Sequence, residues 1–257
     1  MTTQSRPRHI RDIAHLYLSR RHGAAPVTLS ILVTSAGSEC FSGLHVANLA
    51  MAFSERKIAV SVYELSGMLP NASFYLAHPP GVYLGTRGPD MFHPALRGVS
   101  LTFGTVPPPV ADAGQRTARL NLFHLPPLRM QERLRESLKR AAGILSPERW
   151  MLLLHDNAGI DLSMAKWLRV EVGPQRTLTV RVGDPGPSLV PGAEHLGAIG
   201  GWRPRVVDRV PVVLREPRAD VSLEYLSICD SVLSRLNRIA RRNHAAAEVS
   251  TGNPAGG

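Results

Sequence analysis

The sequence predicts a three-layer α/β domain, with a mainly parallel sheet and helices on both faces. Three observations point that way. Val27 to Thr34 (VTLSILVT) and Ile58 to Tyr63 (IAVSVY) are apolar, β-branched runs of strand length. Between them Gly43 to Ser54 (GLHVANLAMAFS) has the length of a helix, with small residues where it would press on a sheet. A strand, a helix and a second strand in that order form a crossover unit, which sets the two strands parallel in one sheet. The same alternation of strand-like and helix-like segments then recurs down the chain.

The elements follow in order. His9 to Arg21 has Ile10, Ile13, Ala14, Tyr17 and Leu18 at helical spacing, which predicts a short amphipathic helix ended by Gly23 and Pro26. After the Val27 strand comes the small-residue loop Ser35 to Cys40, then the helix from Gly43 and the Ile58 strand. Between Ala77 and Gly114 seven prolines make a loop-rich region, interrupted by a short strand at Val99 to Phe103. Leu120 to His124 (LNLFH) predicts a strand, Met130 to Leu145 an amphipathic helix, and Trp150 to Leu154 (WMLLL) a strand ending at His155 and Asp156. Leu178 to Val182 is a further strand, and Leu196 to Ile199 and Val210 to Leu214 are short apolar runs. Val221 to Arg242 is the closing helix, and the Ala/Gly/Ser composition beyond it predicts a disordered tail. The chain therefore divides into an N-terminal helix and linker (1–25), one domain (26–242) and a tail (243–257).

Composition bounds the function. The 257 residues are 44% hydrophobic, too apolar for a wholly disordered chain, and no apolar run is long enough to span a bilayer. Arg6, Arg8, Arg11 and Asp12 break up any secretory leader, and Cys40 and Cys229 are too few for a disulfide framework. A cytoplasmic protein is expected, with a peripheral place at the inner membrane face left open. The formal charge is +10, carried by arginine, since only Lys57, Lys139 and Lys166 are lysines. The arginines gather near both ends, and no stretch interleaves them with aromatics as a nucleic-acid stacking platform would.

In an open α/β sheet ligands sit beyond the carboxyl ends of the strands, so the loop after Thr34 is the first candidate site. A phosphate-binding loop there carries G-x-x-x-x-G-K-[ST]. Counted from Gly37, the chain has Ser42 for the second glycine, Gly43 for the lysine and Leu44 for the hydroxyl residue. The segment ILVTSAGSECFSGLHVANLAMAFSERKIAVSVYELSGMLPNASFYL nonetheless resembles the opening of MinD/ParA-type ATPases, including the flagellar-number regulators FlhG and FleN. Ala47-Asn48-Leu49-Ala50 matches that family's helix and Leu69-Pro70-Asn71 its later Leu-x-Asn stretch, while its two strand-end aspartates fall on Glu64 and Ser66. Trp150 to Gly159 (WMLLLHDNAG) is similar to the strand and Asp-x-Pro-Ala-Gly switch, with Asn157 for the proline and Asp156 one position late. The run from His195 to Leu233 is similar to the closing segment.

The resemblance implies a P-loop NTPase-like fold and a vestigial nucleotide site at Gly37, Ser38, Ser42, Gly43, Glu64 and Asp156. Aligned on Ala47 to Ala50, the lysine position falls on Ser42 and the signature lysine on Gly37, so neither register supplies a lysine. Without that cation, and with Glu39 inside the loop, the phosphoryl-transfer chemistry is undercut. No catalytic residue, metal or cofactor is therefore assigned, and ATP with Mg²⁺ enters only under an alternative partner-dependent ATPase. The expectation is a non-catalytic regulatory or scaffold protein in bacterial spatial organisation, such as flagellar, polysaccharide-export or division machinery. A protein partner is expected and a homodimer is left open. The outward faces of the terminal helices, Ile10, Ile13 and Tyr17 with Arg235, Arg238, Arg241 and Arg242, are the candidate contacts for that partner, or for anionic membrane or DNA. Two further pairings are candidates from the residue types: Ser42 with His45 as nucleophile and base, and His155 with Asp156 as base and orienter.

Overall fold

The computed structural model describes residues 28–36, 42–64, 72–76, 99–103, 119–124, 149–155, 173–183, 186, 190–200 and 210–251. The predicted helices at His9 to Arg21 and Met130 to Leu145 lie outside the described residues, as do Gly37, Ser38, Cys40 and Asp156. The described strands are β1 (Thr28–Ala36), β2 (Ala59–Glu64), β3 (Val99–Phe103), β4 (Arg119–His124), β5 (Arg149–His155), β6 (Thr177–Val182) and β7 (Glu194–Ile199). The helices are α1 (Ser42–Glu55), α2 (Ala72–Leu76), α3 (Val212–Arg215) and α4 (Asp220–Thr251). A single 3-10 turn, Pro174–Arg176, precedes β6.

The seven strands form one sheet in the order β3-β2-β4-β1-β5-β6-β7, every pair parallel. Alternate residues project to one face. Ile31 and Val33, Val60 and Val62, Leu120 and Leu122, Trp150, Leu152 and Leu154, and Leu178 and Val180 join α1 and α4 in one core. The intervening row on the other face, Tyr63, Phe123, Leu32 and Met151 in register, is buried too, with the Tyr63 and Phe123 rings stacked at 4.8 Å. Burial on both faces explains why these strands read as continuous apolar runs rather than as an alternation.

α1 is buried from Ser42 through Phe53. A helix apolar on all sides belongs inside a protein, and Gly43, Ala47, Ala50 and Ala52 let the sheet and the other helices approach closely. It ends in a Schellman turn: Ile58 N–H donates to Phe53 O (3.2 Å) and Lys57 N–H to Ser54 O (2.8 Å). Lys57 holds the left-handed position at φ 63°, where a side chain costs roughly 1–2 kcal/mol. Lys57→Gly is therefore expected to raise stability by about 0.5–1 kcal/mol, net of the looser unfolded chain, as an increase in the urea midpoint at unchanged slope.

At the far edge the β6–β7 register slips. Thr179 pairs with His195 but Val180 with Gly197, so Leu196 is an inserted bulge residue, and Gly197 takes φ +139°. The apolar run at Val210 to Leu214 is the one-turn helix α3. The closing helix starts at Asp220 and runs to Thr251, nine residues beyond Arg242. Residues 243–251, expected as tail from their Ala-rich composition, are helical; alanine is the best helix former, so that composition favours continuation of α4.

Candidate functional site

β1 is flanked by β4 on one side and β5 on the other, so the sheet order reverses at β1, and its carboxyl end is the place where open α/β sheets bind ligands. Three features meet there. β1 ends at Ala36, in register with His155 at the end of β5; Val33 is in register with His124 at the end of β4; and α1 begins at Ser42. Glu64, the last residue of β2, is in register with His124. Residues paired in a parallel ladder share a face, so His124 and Val33 lie on the face that α1 covers.

Ser42 is the sequence-predicted residue whose surroundings are best defined. Its Oγ lies 2.9 Å from His124 Nε2, and both side chains are buried. His45, the base expected for Ser42 from sequence, instead faces α4: its Nδ1 lies 2.6 Å from the Tyr225 hydroxyl. Burial drives the His45 pKa down from 6.5 to about 4, so the ring is neutral at pH 7 in its hydrogen bond with the Tyr225 hydroxyl. The pairing of Ser42 with His45 is thus corrected to two separate pairs, Ser42 with His124 and His45 with Tyr225. Gly43 is buried within the first turn of α1, and Glu64 ends its strand beside His124. His155 is buried at the end of β5, with its ring 6.2 Å from that of His195.

The rest of α1 is tied to its neighbours by polar groups on its other sides. Asn48, of the Ala47-Asn48-Leu49-Ala50 motif, donates from Nδ2 to Leu44 O (3.0 Å) and accepts at Oδ1 from Val213 N–H (3.1 Å). It thereby satisfies one of the orphan donors at the start of α3. Arg56, just past the end of α1, forks onto Asp230 of α4, with Nε and Nη2 at 2.7 and 2.6 Å from its two carboxylate oxygens. This half-buried bidentate pair raises the Arg56 pKa, first through its hydrogen bond to Asp230. The Cys229 thiol, buried under Leu49, is pushed well up by burial and suits packing rather than reactivity.

The candidate contact residues divide. Arg235 is engaged within the chain: its Nε lies 2.9 Å from Glu194 Oε2 of β7, and its guanidinium sits 5.9 Å from the centre of the Trp150 ring. That holds α4 against the sheet edge and takes Arg235 out of the outward-facing group. Arg238, Arg241 and Arg242 lie on the α4 backbone beyond it. Ile10, Ile13 and Tyr17 lie outside the described residues. A polar groove of about 330 Å³ runs between β7 and α4, lined by Glu194, His195, Ser227, Asp230, Ser231 and Ser234 among others. No helix among the described residues is long and apolar enough to cross a membrane.

Scanned against protein-family models and against curated proteins, the sequence finds no match. Solved structures do share its fold. A MinC:MinD cell division protein complex from Aquifex aeolicus matches with a TM-score of 0.54 and 13% identity, over 80% of this chain and 96% of that one. MinD from the same organism matches with a TM-score of 0.54 and 15% identity, over 80% of this chain and 97% of that one. The fold is therefore the one these MinD structures have.

Proposed function

We propose that this chain is a regulatory or scaffold protein built on a MinD-like frame, working without nucleotide turnover in bacterial spatial organisation. The observation that carries the reading is Ser42. With the helix motif Ala47 to Ala50 as the anchor, Ser42 stands where the phosphate-loop lysine belongs, and its short side chain is buried against His124. In a phosphate loop that position supplies the cation on the terminal phosphates, and positioning plus electrostatics account for almost all of the rate. A neutral hydroxyl committed to an imidazole supplies neither the charge nor the reach. In the other register the position falls on Gly43, with Leu44 for the Mg²⁺-binding hydroxyl, and both are buried. The residues present do not fit ATP with Mg²⁺.

A role through protein contacts is supported by the MinD neighbour that is seen in complex with MinC. On this chain the contact surface falls to the stretch of α4 beyond Arg235, where Arg238, Arg241 and Arg242 follow one another toward Thr251. A protein partner with an acidic face suits that stretch, and an anionic membrane shares its chemistry.

Calorimetry of the full chain with ATP, with and without Mg²⁺, tests the reading. No magnesium-dependent binding and no phosphate release above the buffer rate are expected. Magnesium-dependent binding together with phosphate release abolished by Glu64→Gln overturns it.

A further inference from the structure

The far edge of the sheet gathers titratable and charged side chains that the proposed function leaves unused. β7 is the last strand in the sheet order and pairs, among the described strands, with β6 alone. Its half-buried His195 stands immediately before the bulge at Leu196, so the ladder is interrupted directly after it. His195 Nδ1 lies 3.3 Å from Thr179 Oγ of β6, a hydroxyl that also donates to Glu194 O at 3.3 Å. The ring is 6.2 Å from that of His155, the fully buried end of β5. One residue earlier, Glu194 Oε2 accepts from Arg235 Nε at 2.9 Å, the ion pair that ties α4 to this edge.

The charges around the imidazole are unevenly disposed. Arg181 of β6 acts on it directly. The carboxylates described near it are committed elsewhere, Glu194 to Arg235 and Asp230, which lines the same groove, to Arg56. Burial first and the Arg181 charge second hold the His195 pKa below 6.5, against a hydrogen bond to the Thr179 backbone that raises it. A proton added to this ring places a second cation near Arg181 at the β6–β7 seam, beside another imidazole, where the ladder is already broken.

We propose that His195 is a pH-sensitive latch: neutral, it keeps β7 on β6 and so keeps Glu194 where it holds Arg235 of α4; protonated, it releases the β7 edge and with it that hold on α4. In the open edge the ring reaches water and takes its proton near pH 6.5, whereas the closed edge resists the proton. The closed edge therefore has its full stability above about pH 6.5 and loses it as pH falls below that value. Local opening also costs least here, since β7 has one strand neighbour among the described strands, a bulge and half-buried side chains. This goes beyond the reading above, and the two fail separately, because calorimetry with ATP does not report on the β7 edge.

The test is amide hydrogen exchange of the full chain at about pH 7.5 and about pH 5.5, corrected for the intrinsic exchange rates. Ordinary carboxylates stay ionised over that interval, so the imidazoles are the groups that change. Protection of residues 194–199 is expected to fall about three- to tenfold more than that of residues 120–124 inside the sheet. Tenfold is roughly the limit for one group a single pH unit below 6.5. β4 registers whatever the whole chain loses through His45, so the difference belongs to the edge. His195→Gln, neutral throughout, is expected to remove the extra fall. His195→Lys, charged throughout, is expected to show the open edge already at the higher pH. An equal fall in the two strands, an extra fall that persists in His195→Gln, or a His195 ring that titrates at or above about 6.5 by NMR overturns the proposal. The wild-type exchange and the NMR titration decide by themselves where a variant fails to fold.

Discussion

Tyr225→Ala is expected to cost about 5 kcal/mol, as much as the whole stability of a marginal domain. Tyr225 of α4 is fully buried against His45 of α1 and is the largest fully buried side chain among the described residues. Truncating a buried aromatic ring to alanine costs roughly 3–5 kcal/mol through lost transfer energy and an unfilled cavity. His45 loses its Tyr225 partner in the same step, and a buried polar atom left without a partner adds roughly 1–3 kcal/mol. Tyr225→Phe separates the two terms. It keeps the ring and removes the hydroxyl, so a loss of about 1–3 kcal/mol is expected. Urea unfolding of the three proteins reads both values. A Tyr225→Phe midpoint equal to wild type would show that the hydroxyl contributes nothing to the interface.

The second large effect is a dependence on pH, from the same pair seen from the α1 side. The folded chain holds His45 neutral down to about pH 4, whereas in the unfolded chain it titrates near 6.5. Between those values the unfolded state binds a proton at residue 45 that the folded state refuses, so stability rises with pH across the window. The contribution is complete above pH 6.5 and is lost progressively as pH falls toward 4. The gap corresponds to about 3 kcal/mol. Unfolding free energies measured at pH 7 and pH 4.5 are expected to differ by most of that amount. In His45→Gln the difference shrinks to what the other titrating groups contribute, His195 among them since burial lowers its pKa too, and an unchanged pH dependence in that variant would reassign it to another group.

The strands and α1 were legible in the sequence because their signals are local. Runs such as Ile31 to Val33 and Leu152 to Leu154 need no knowledge of the fold to read as buried strand, and the observed bounds of β1, β2, β4, β5 and β6 differ from the expected ones by one or two residues. The order of the elements also carried the family-like architecture, which the MinD structures bear out at the level of fold. The site was legible only in part. Ser42 stood out as the residue in the lysine's place, but its partner did not. His124 reaches it because β4 inserts between β2 and β1, and no local pattern announces that insertion. Tyr225 meets His45 across 180 residues for the same kind of reason. Sequence proximity made His45 look like Ser42's base, yet His45 is engaged by Tyr225 of α4 and Ser42 by His124 of β4, neither of which is near in sequence. At Arg235 the charge pattern misled. Its cation reads as a free basic group, and Glu194, which engages it, arrives from the edge strand.

The sheet order has a further consequence, in time rather than in space. β1 is made first and sits at the centre, yet its two neighbours come from about 90 and about 120 residues downstream. At roughly 5–20 residues per second a ribosome needs about 6–24 s to supply β5 after β1 has emerged. Until β4 emerges one of the most apolar segments of the chain has no strand on either side to hide it, and until β5 it is covered on one side only. A fold organised this way gains little from starting early, because its central strand is paired on both sides only after β5 has been made. The nascent chain is then most exposed to aggregation, or to capture by a chaperone, between the synthesis of β1 and the arrival of β5.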